Sequence, residues 1–246
     1  MATGDGWWTF TRRGYRLTPE GSAGLARQGI NQRAGTYVSQ KKLIGVRDDW
    51  IASRKPIADD LAAQLKAGAI TPEQWVLQMR EGIKTTHISQ YVLGRGGADN
   101  MTQSDWGRLG QKLREQYGYL NDFGQQIITN PDWSDRYIAS RAQMYFEASG
   151  TSFEVANAIS RGLPIMPEYP GDGRQICLTN CKCYWAIREF ADRWECAWTL
   201  QATESCPSCI GNAQKWNPLI IPKIEIKTRA DLILVLDRMR EYEPAG

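Results

Sequence analysis

Residues 169–219 read YPGDGRQICLTNCKCYWAIREFADRWECAWTLQATESCPSCIGNAQKWNPL and hold every cysteine of the chain, at 177, 181, 183, 196, 206 and 209. None occurs in the 176 residues before Cys177 or the 37 after Cys209, and clustering on that scale points to one local site. Cys206-Pro-Ser-Cys209 has CxxC spacing, at which one tight turn presents two thiolates to one ion; Cys177, Cys181 and Cys183 form a second group, CxxxCxC. Between the groups, residues 183–189 and 194–200 each alternate, so Cys183, Trp185 and Ile187 share one face, as do Cys196, Trp198 and Leu200. That pattern predicts a β-hairpin turning near residues 190–193. Symmetric pairing sets Cys183 near Leu200 at the open end, carries Cys177, Cys181 and Cys183 back toward Cys206 and Cys209, and leaves Cys196 nearer the tip.

Three readings of the thiols stand side by side: a metal knuckle, a disulfide framework, or unligated small hydrophobes. The start, MATGDGWWTFTRRGYR, lacks the apolar core of a secretory leader, so reduced thiols made in a cytosol are expected. Five thiols compete for the four places of a tetrahedral ion. The expected ligands are Cys177, Cys181, Cys206 and Cys209, with Cys183 as the alternative and Cys196 in the core. The expected ion is a structural Zn2+, because a site closed by four thiolates keeps no open position for water.

The run YPGDG, then CLTNCKCYW, the CxW of Cys196 to Trp198, CPSC and WNPL resembles the C-terminal region of tailed-bacteriophage head-morphogenesis or minor head proteins. The upstream pieces LKAGAITPEQWVLQMREGIKTTHISQYVLGRGG and MTQSDWGRLGQKLREQYGYLNDF resemble the same family, so the likeness spans roughly residues 57–220. A more distant similarity is to the phage Mu type of minor head protein, whose domain ends in an NCxC pattern, here Asn180, Cys181 and Cys183. The resemblance implies a virion structural or assembly protein present in multiple copies or as a homo-oligomer, with capsid, portal or neck proteins as partners.

Upstream, residues 1–36 look irregular, with two short strands about Arg12, Arg13 and Gly14, and read as an extended arm whose Trp7, Trp8, Phe10 and Tyr15 dock on a neighbouring subunit or on the same chain. Residues 37–164 predict a helical bundle. Pro56 marks one helix start; Thr71-Pro72-Glu73-Gln74 is a capping box before Trp75, Met79, Ile83 and Tyr91. Thr102 with Asp105 opens a helix bearing Trp106, Leu109, Leu113, Leu120, Phe123 and Ile127 on one face. Asn130-Pro131-Asp132 is expected to open the last, bent at Gly150. Residues 165–220 form the cysteine-rich module, and residues 221–246 a strand and a capped amphipathic helix. The fold class expected is thus α+β: a mainly helical bundle, then a small zinc-ribbon-like hairpin module, then a C-terminal strand plus helix.

With 30 Lys and Arg against 27 Asp and Glu, the charge of +3 does not argue for nucleic acid, and no apolar run reaches membrane-spanning length. Gly94-Arg95-Gly96-Gly97 reads as a helix stop rather than a phosphate loop, since no strand precedes it and no Gly-Lys-Ser/Thr follows. His87 is the only histidine, Glu147 and Glu154 read as solvated, and no catalytic constellation emerges. A non-enzymatic virion protein is therefore expected. The alternative is a zinc-ribbon nucleic-acid-binding protein of DNA packaging, using Lys182, Arg188, Arg193 and Lys215, whose charge Glu189, Asp192, Glu195 and Glu204 dilute.

Overall fold

The computed structural model describes residues 8–11, 14–27, 33–201 and 204–223 of a mixed α+β chain, mostly helical, with small antiparallel sheets. It divides into two units, Met1–Ser160 and Arg161–Gly246. In the first, β1 (Trp8–Thr11) and β2 (Gly14–Leu17) form a hairpin with Trp8 opposite Leu17. Next come α1 (Pro19–Arg27) and β3 (Tyr37–Val38), which pairs with β2 so that the sheet runs β1-β2-β3. Leu17, Leu25 and Val38 are buried. The extended-arm reading of residues 1–36 is corrected here. Thr18 accepts the Gly21 amide at 2.9 Å and starts a helix with Pro19 in its first turn, a signal that Gly21 and Gly24 obscure in the sequence. The docking expected of Trp7, Trp8, Phe10 and Tyr15 concerns side chains outside those described.

Local caps then set the helix register. Ser39 caps α2 (Gln40–Ala52), and α3 (Lys55–Lys66) has Pro56 in its first turn. At α4 (Pro72–Arg95), the Thr71 hydroxyl accepts the Gln74 amide (3.3 Å) while the Gln74 side chain accepts the Thr71 amide (2.8 Å). The same reciprocal pair, Thr102 and Asp105, opens α5 (Gln103–Thr129). Gly96 ends α4 at φ +76°, a left-handed cap that glycine adopts without steric cost, so the Gly94–Gly97 run is a helix stop. The last helical stretch differs from expectation. Ser134, not Asn130, caps α6 (Asp135–Glu147), and the break before α7 (Ser149–Ser160) falls at Ala148 rather than Gly150.

The core joins Ala58, Leu61 and Ala62 of α3, Trp75, Met79 and Ile83 of α4, Leu120, Phe123 and Ile127 of α5, and Ile138, Ala142 and Phe146 of α6. Each such large side chain contributes roughly 1.5–3 kcal/mol by leaving water. Trp106, expected on this face, is instead 46% exposed. α7 packs against α4 at glycine distance: a Cβ on Gly94 would stand 2.5 Å from the Phe153 carbonyl oxygen.

The seam of α2, α4 and α7 is polar. Thr86, His87 and Gln90 of α4 and Ser149, Ser152, Glu154 and Asn157 of α7 are all buried. His87 Nδ1 and Ser152 Oγ lie 2.8 Å apart, and the Gln90 amide donates to the Arg47 carbonyl at 3.1 Å. Glu154 receives Arg47 Nη1 at 2.7 Å with both side chains buried, and Glu147 is paired with Lys55. The solvated reading of Glu147 and Glu154 is therefore wrong: a buried carboxylate is tolerable only with a countercharge, and here the cations come from α2 and α3. His87 is fully buried, which pushes its pKa down to about 3, with the charge of Lys112 adding to the shift.

In the second unit, β4 (Tyr184–Glu189) and β5 (Arg193–Thr199) form the hairpin in the expected register, Tyr184 opposite Thr199 and Glu189 opposite Trp194. The Phe190 amide donates to the Arg193 carbonyl at 2.8 Å and closes the turn. α8 (Pro207–Lys215) follows, and β6 (Leu219–Pro222) adds antiparallel to β5, with Trp194 opposite Ile221 and Arg193 opposite Pro222. The expected boundary between 220 and 221 thus cuts through a strand of the module's own sheet. Trp185, Trp198 and Trp216 meet at centroid distances of 5.3, 5.3 and 5.7 Å and form the centre of this unit. The expected strand beyond Lys223 and the final helix lie outside the described residues.

Candidate metal centre

The chain reaches the site through a polar clasp. In Tyr169-Pro-Gly-Asp-Gly, the Asp172 carboxylate accepts the Tyr169 amide (2.9 Å) and Gly171 and Gly173 take positive φ. Gln175, buried at the end of this turn, donates to Glu168 (3.1 Å) and Asp172 (3.0 Å) and accepts the Gly171 amide (3.0 Å). Glu168 also accepts from Asn212 of α8 at 3.0 Å, and the Ile176 amide donates to Ser208 Oγ of α8 at 2.9 Å. These bonds fasten the segment before Cys177 to the helix that carries Cys209. A 3-10 turn (Leu178–Asn180), with Leu178 at φ +49°, then folds the chain so that Cys177 and Cys181 face one point.

At that point Cys177, Cys181 and Cys209 bring their sulfurs within 4.8 Å of one another. Cys177 Sγ lies 3.8 Å and Cys181 Sγ 3.6 Å from Cys209 Sγ. The edge of a thiolate tetrahedron around an ion at about 2.3 Å is about 3.8 Å, so the spacing fits a metal as it stands. All six cysteines are free thiols. The three-thiol group could hold a metal ion, and the donors are soft sulfurs, which favour zinc and its soft neighbours over oxygen-seeking cations.

Cys206 and Cys183 stand outside this core. Cys206 caps α8, so its CxxC is a helix start rather than a simple tight turn, with Pro207 in the first turn. Its sulfur is 3.2 Å from Ser208 Oγ. Cys183 is buried at the entry to β4, two residues after Cys181. Of the four expected ligands, Cys177, Cys181 and Cys209 come together within 4.8 Å, and neither Cys206 nor the alternative, Cys183, belongs to that group. Cys196 is buried on β5 opposite Ile187 and Leu219, in the core as expected. His87 pairs with Ser152 and belongs to the other unit.

The electrostatics divide the thiols. Burial pushes Cys177 up to about 12 and Cys209 higher still, while Cys181 is raised first by its hydrogen bond with Cys183 and then by burial. Cys206 alone falls, to about 6: burial opposes the shift, but the Ser208 hydroxyl and the amides of Cys209 and Cys177 outweigh it. Crowded thiols cannot all ionise without a cation among them, so an ion entering here displaces protons and is held less tightly in acid.

Sequence reasoning missed Ser208, Glu168, Gln175 and Asn212, which hold the site from outside. Ser208 was findable, because a serine inside CxxC falls in the first turn of a helix opened by Cys-Pro; the other three carry no local signal. Among the described residues no helix is long and apolar enough to cross a membrane. Comparison of the chain with protein-family models, with curated proteins and with solved structures finds no match to any of them.

Proposed function

We propose that this chain is a non-enzymatic structural protein of a tailed-phage virion, of the minor head or head-morphogenesis kind. In this reading a zinc-clamped hairpin module and a helical bundle supply rigid surfaces for contact with capsid, portal or neck proteins and with sister copies. The observation that carries the clamp is the convergence of Cys177 and Cys181 on Cys209, at 3.8 and 3.6 Å, from two segments well separated in sequence. Zinc suits the task because it joins segments 32 residues apart around a sheet too small to stand alone. The virion role rests on the sequence resemblance over residues 57–220.

Among the cations near the hairpin, Arg193 bonds Glu195 (2.9 Å) and Asp192 (3.2 Å), Lys223 bonds Glu189 (2.7 Å), and Lys215 lies over the Trp216 ring. The pairing of Arg193 and Lys223 supports protein contact over the nucleic-acid alternative. The test is metal analysis of the purified protein and of particles, beside Cys209→Ser. Loss of zinc and of incorporation together supports the reading; a metal-free variant that incorporates normally refutes the claim that the clamp shapes the contact surface.

A further inference from the structure

Between α4 and α5 of the first unit lies a groove of about 440 Å³, and each of its walls is a single helical stripe. On α4 the stripe is Leu77, Arg80, Glu81 and Lys84; on α5 it is Gly110, Leu113, Arg114 and Tyr117. Both sets have the spacing i, i+3, i+4, i+7, so each wall is two turns long, about 10 Å. Leu113 and Tyr117 are partly buried against the core, whereas Leu77 is 61% exposed. Trp106, one turn before Gly110 on the same side of α5, is half-exposed and continues the apolar wall.

We propose that this groove docks an acidic amphipathic helix of a partner protein, its apolar side chains between Leu77 and Leu113 and its carboxylates on Arg80, Lys84 and Arg114. The proposal goes beyond the assembly reading, which leaves the chemistry of the partner open, and it stands without the metal centre. Charge selects the occupant. Three cations stand against one carboxylate, Glu81, and the Lys84–Glu81 pair at 3.5 Å is an exposed one of little strength. Arg80 and Arg114 have no carboxylate partner among the described residues. Arg80 lies over the Tyr117 ring at 4.5 Å, which occupies the face of the guanidinium and leaves its N–H edge for a carboxylate. The helical spacing of both walls suits the i, i+3, i+4, i+7 anchors of a third helix. Gly110 adds clearance. A Cβ there would meet only the Arg114 guanidinium, at 3.8 Å, so the packing of this chain does not call for a glycine that weakens the helix interior, while a backbone approaching from outside does. Nucleic acid would use the cations but would leave Leu77 and Gly110 unexplained.

The probe is a synthetic helical peptide with Leu at i, i+3, i+4 and i+7 and Glu elsewhere, fluorescein-labelled and titrated with the full chain while its anisotropy is read; a second peptide carries Lys in place of Glu. The acidic peptide is expected to bind, more weakly as salt rises, and the basic one to stay free. Arg80→Glu/Arg114→Glu should weaken the acidic peptide about tenfold or more, because like charges then face one another. Gly110→Leu should act in two opposite directions, raising the thermal midpoint through helix propensity and weakening the peptide about tenfold by filling the groove. A misfolded variant would instead lose both. No binding of the acidic peptide, equal binding of the basic one, or an affinity unchanged in both variants overturns the proposal. So does self-association of the peptide-free chain that Gly110→Leu abolishes, which would assign the groove to a second copy. Duplex DNA held more tightly than the acidic peptide and lost in Arg80→Glu/Arg114→Glu would likewise overturn it in favour of nucleic acid.

Discussion

Gly94→Ala tests the packing that holds the first unit together, because a methyl group is added where backbone meets backbone. The new Cβ would lie 2.5 Å from the Phe153 carbonyl oxygen, 2.7 Å from Ala156 Cβ and 2.9 Å from the Asn157 nitrogen. None of these is the free end of a side chain that could swing away. Ordinary contact requires α4 and α7 to part by roughly 1 Å, which forfeits a quarter to half of the dispersion along the seam. The same movement stretches the His87–Ser152 contact from 2.8 Å. Alanine returns about 1 kcal/mol of helix propensity, while overpacking of this kind costs about 1–3 kcal/mol before the polar seam is counted. Taking the upper end of that cost for a clash with backbone, the net expectation is a loss of about 2 kcal/mol, or a midpoint lower by about 4–8 °C for a unit of this size. Gly118→Ala in α5 is the control. Nothing lies within 4 Å of its Cβ, so only the propensity acts and the midpoint should rise by about 2–4 °C. Thermal and urea unfolding followed by far-UV circular dichroism provide the measurement. A Gly94→Ala protein as stable as wild type, or a Gly118→Ala protein destabilised to the same degree, would refute the reasoning.

Glu154→Ala removes one of the two carboxylates on the buried Arg47 guanidinium, Asp48 remaining at 2.9 Å, and should cost about 1.5–3 kcal/mol in urea unfolding, whereas the double variant Arg47→Met/Glu154→Leu should recover most of it. His87 has a folded pKa near 3, below its unfolded value of about 6.5, so the unfolded chain takes up the proton first and stability falls as pH drops through that window. The slope should approach 1.4 kcal/mol per pH unit, and the part due to this group should vanish in His87→Gln, as comparison of urea midpoints at pH 7.5 and 5.5 would show. In protein loaded with Zn2+, chelation should shift the fluorescence of Trp185, Trp198 and Trp216 to the red as α8 leaves the sheet; an unchanged spectrum on complete metal removal would mean that the tryptophan cluster stands without the clamp.

What the sequence made legible was whatever is decided within a few residues. The capping pairs Thr71 with Gln74 and Thr102 with Asp105 fix helix starts by bonds spanning three positions, and the alternation through Trp185 and Trp198 fixed the hairpin register. Ser134 was overlooked because Asn130-Pro131-Asp132 offers an equally good local start four residues earlier, and only packing chooses between them. Glu147 and Glu154 were misjudged for a longer-range reason: their cations are 92 and 107 residues away, on helices whose placement no local pattern reveals. The metal centre was readable to the level of its cysteines, since spacing and hairpin symmetry bring them together. Its support was not, because Glu168, Gln175 and Asn212 are ordinary polar residues until the fold sets them side by side.

The position of the hairpin between the two groups of cysteines also determines how the second unit carries load. Tension entering at residue 176 and leaving beyond β6 must pass from one strand of chain to the other. With an ion in place the shortest route is through sulfur, from Cys177 and Cys181 directly to Cys209, so β4 and β5 hang from the clasp as a slack loop outside the line of force. β6 lies on the other side of the clasp, held by its pairing with β5 and by Lys223, whose amide and ammonium bond Asp192 and Glu189 of the hairpin. Pulled from its ends, this unit should therefore yield in sequence: β6 peels away first at low force, the coordination bonds rupture next, and the three-tryptophan hairpin is reached last.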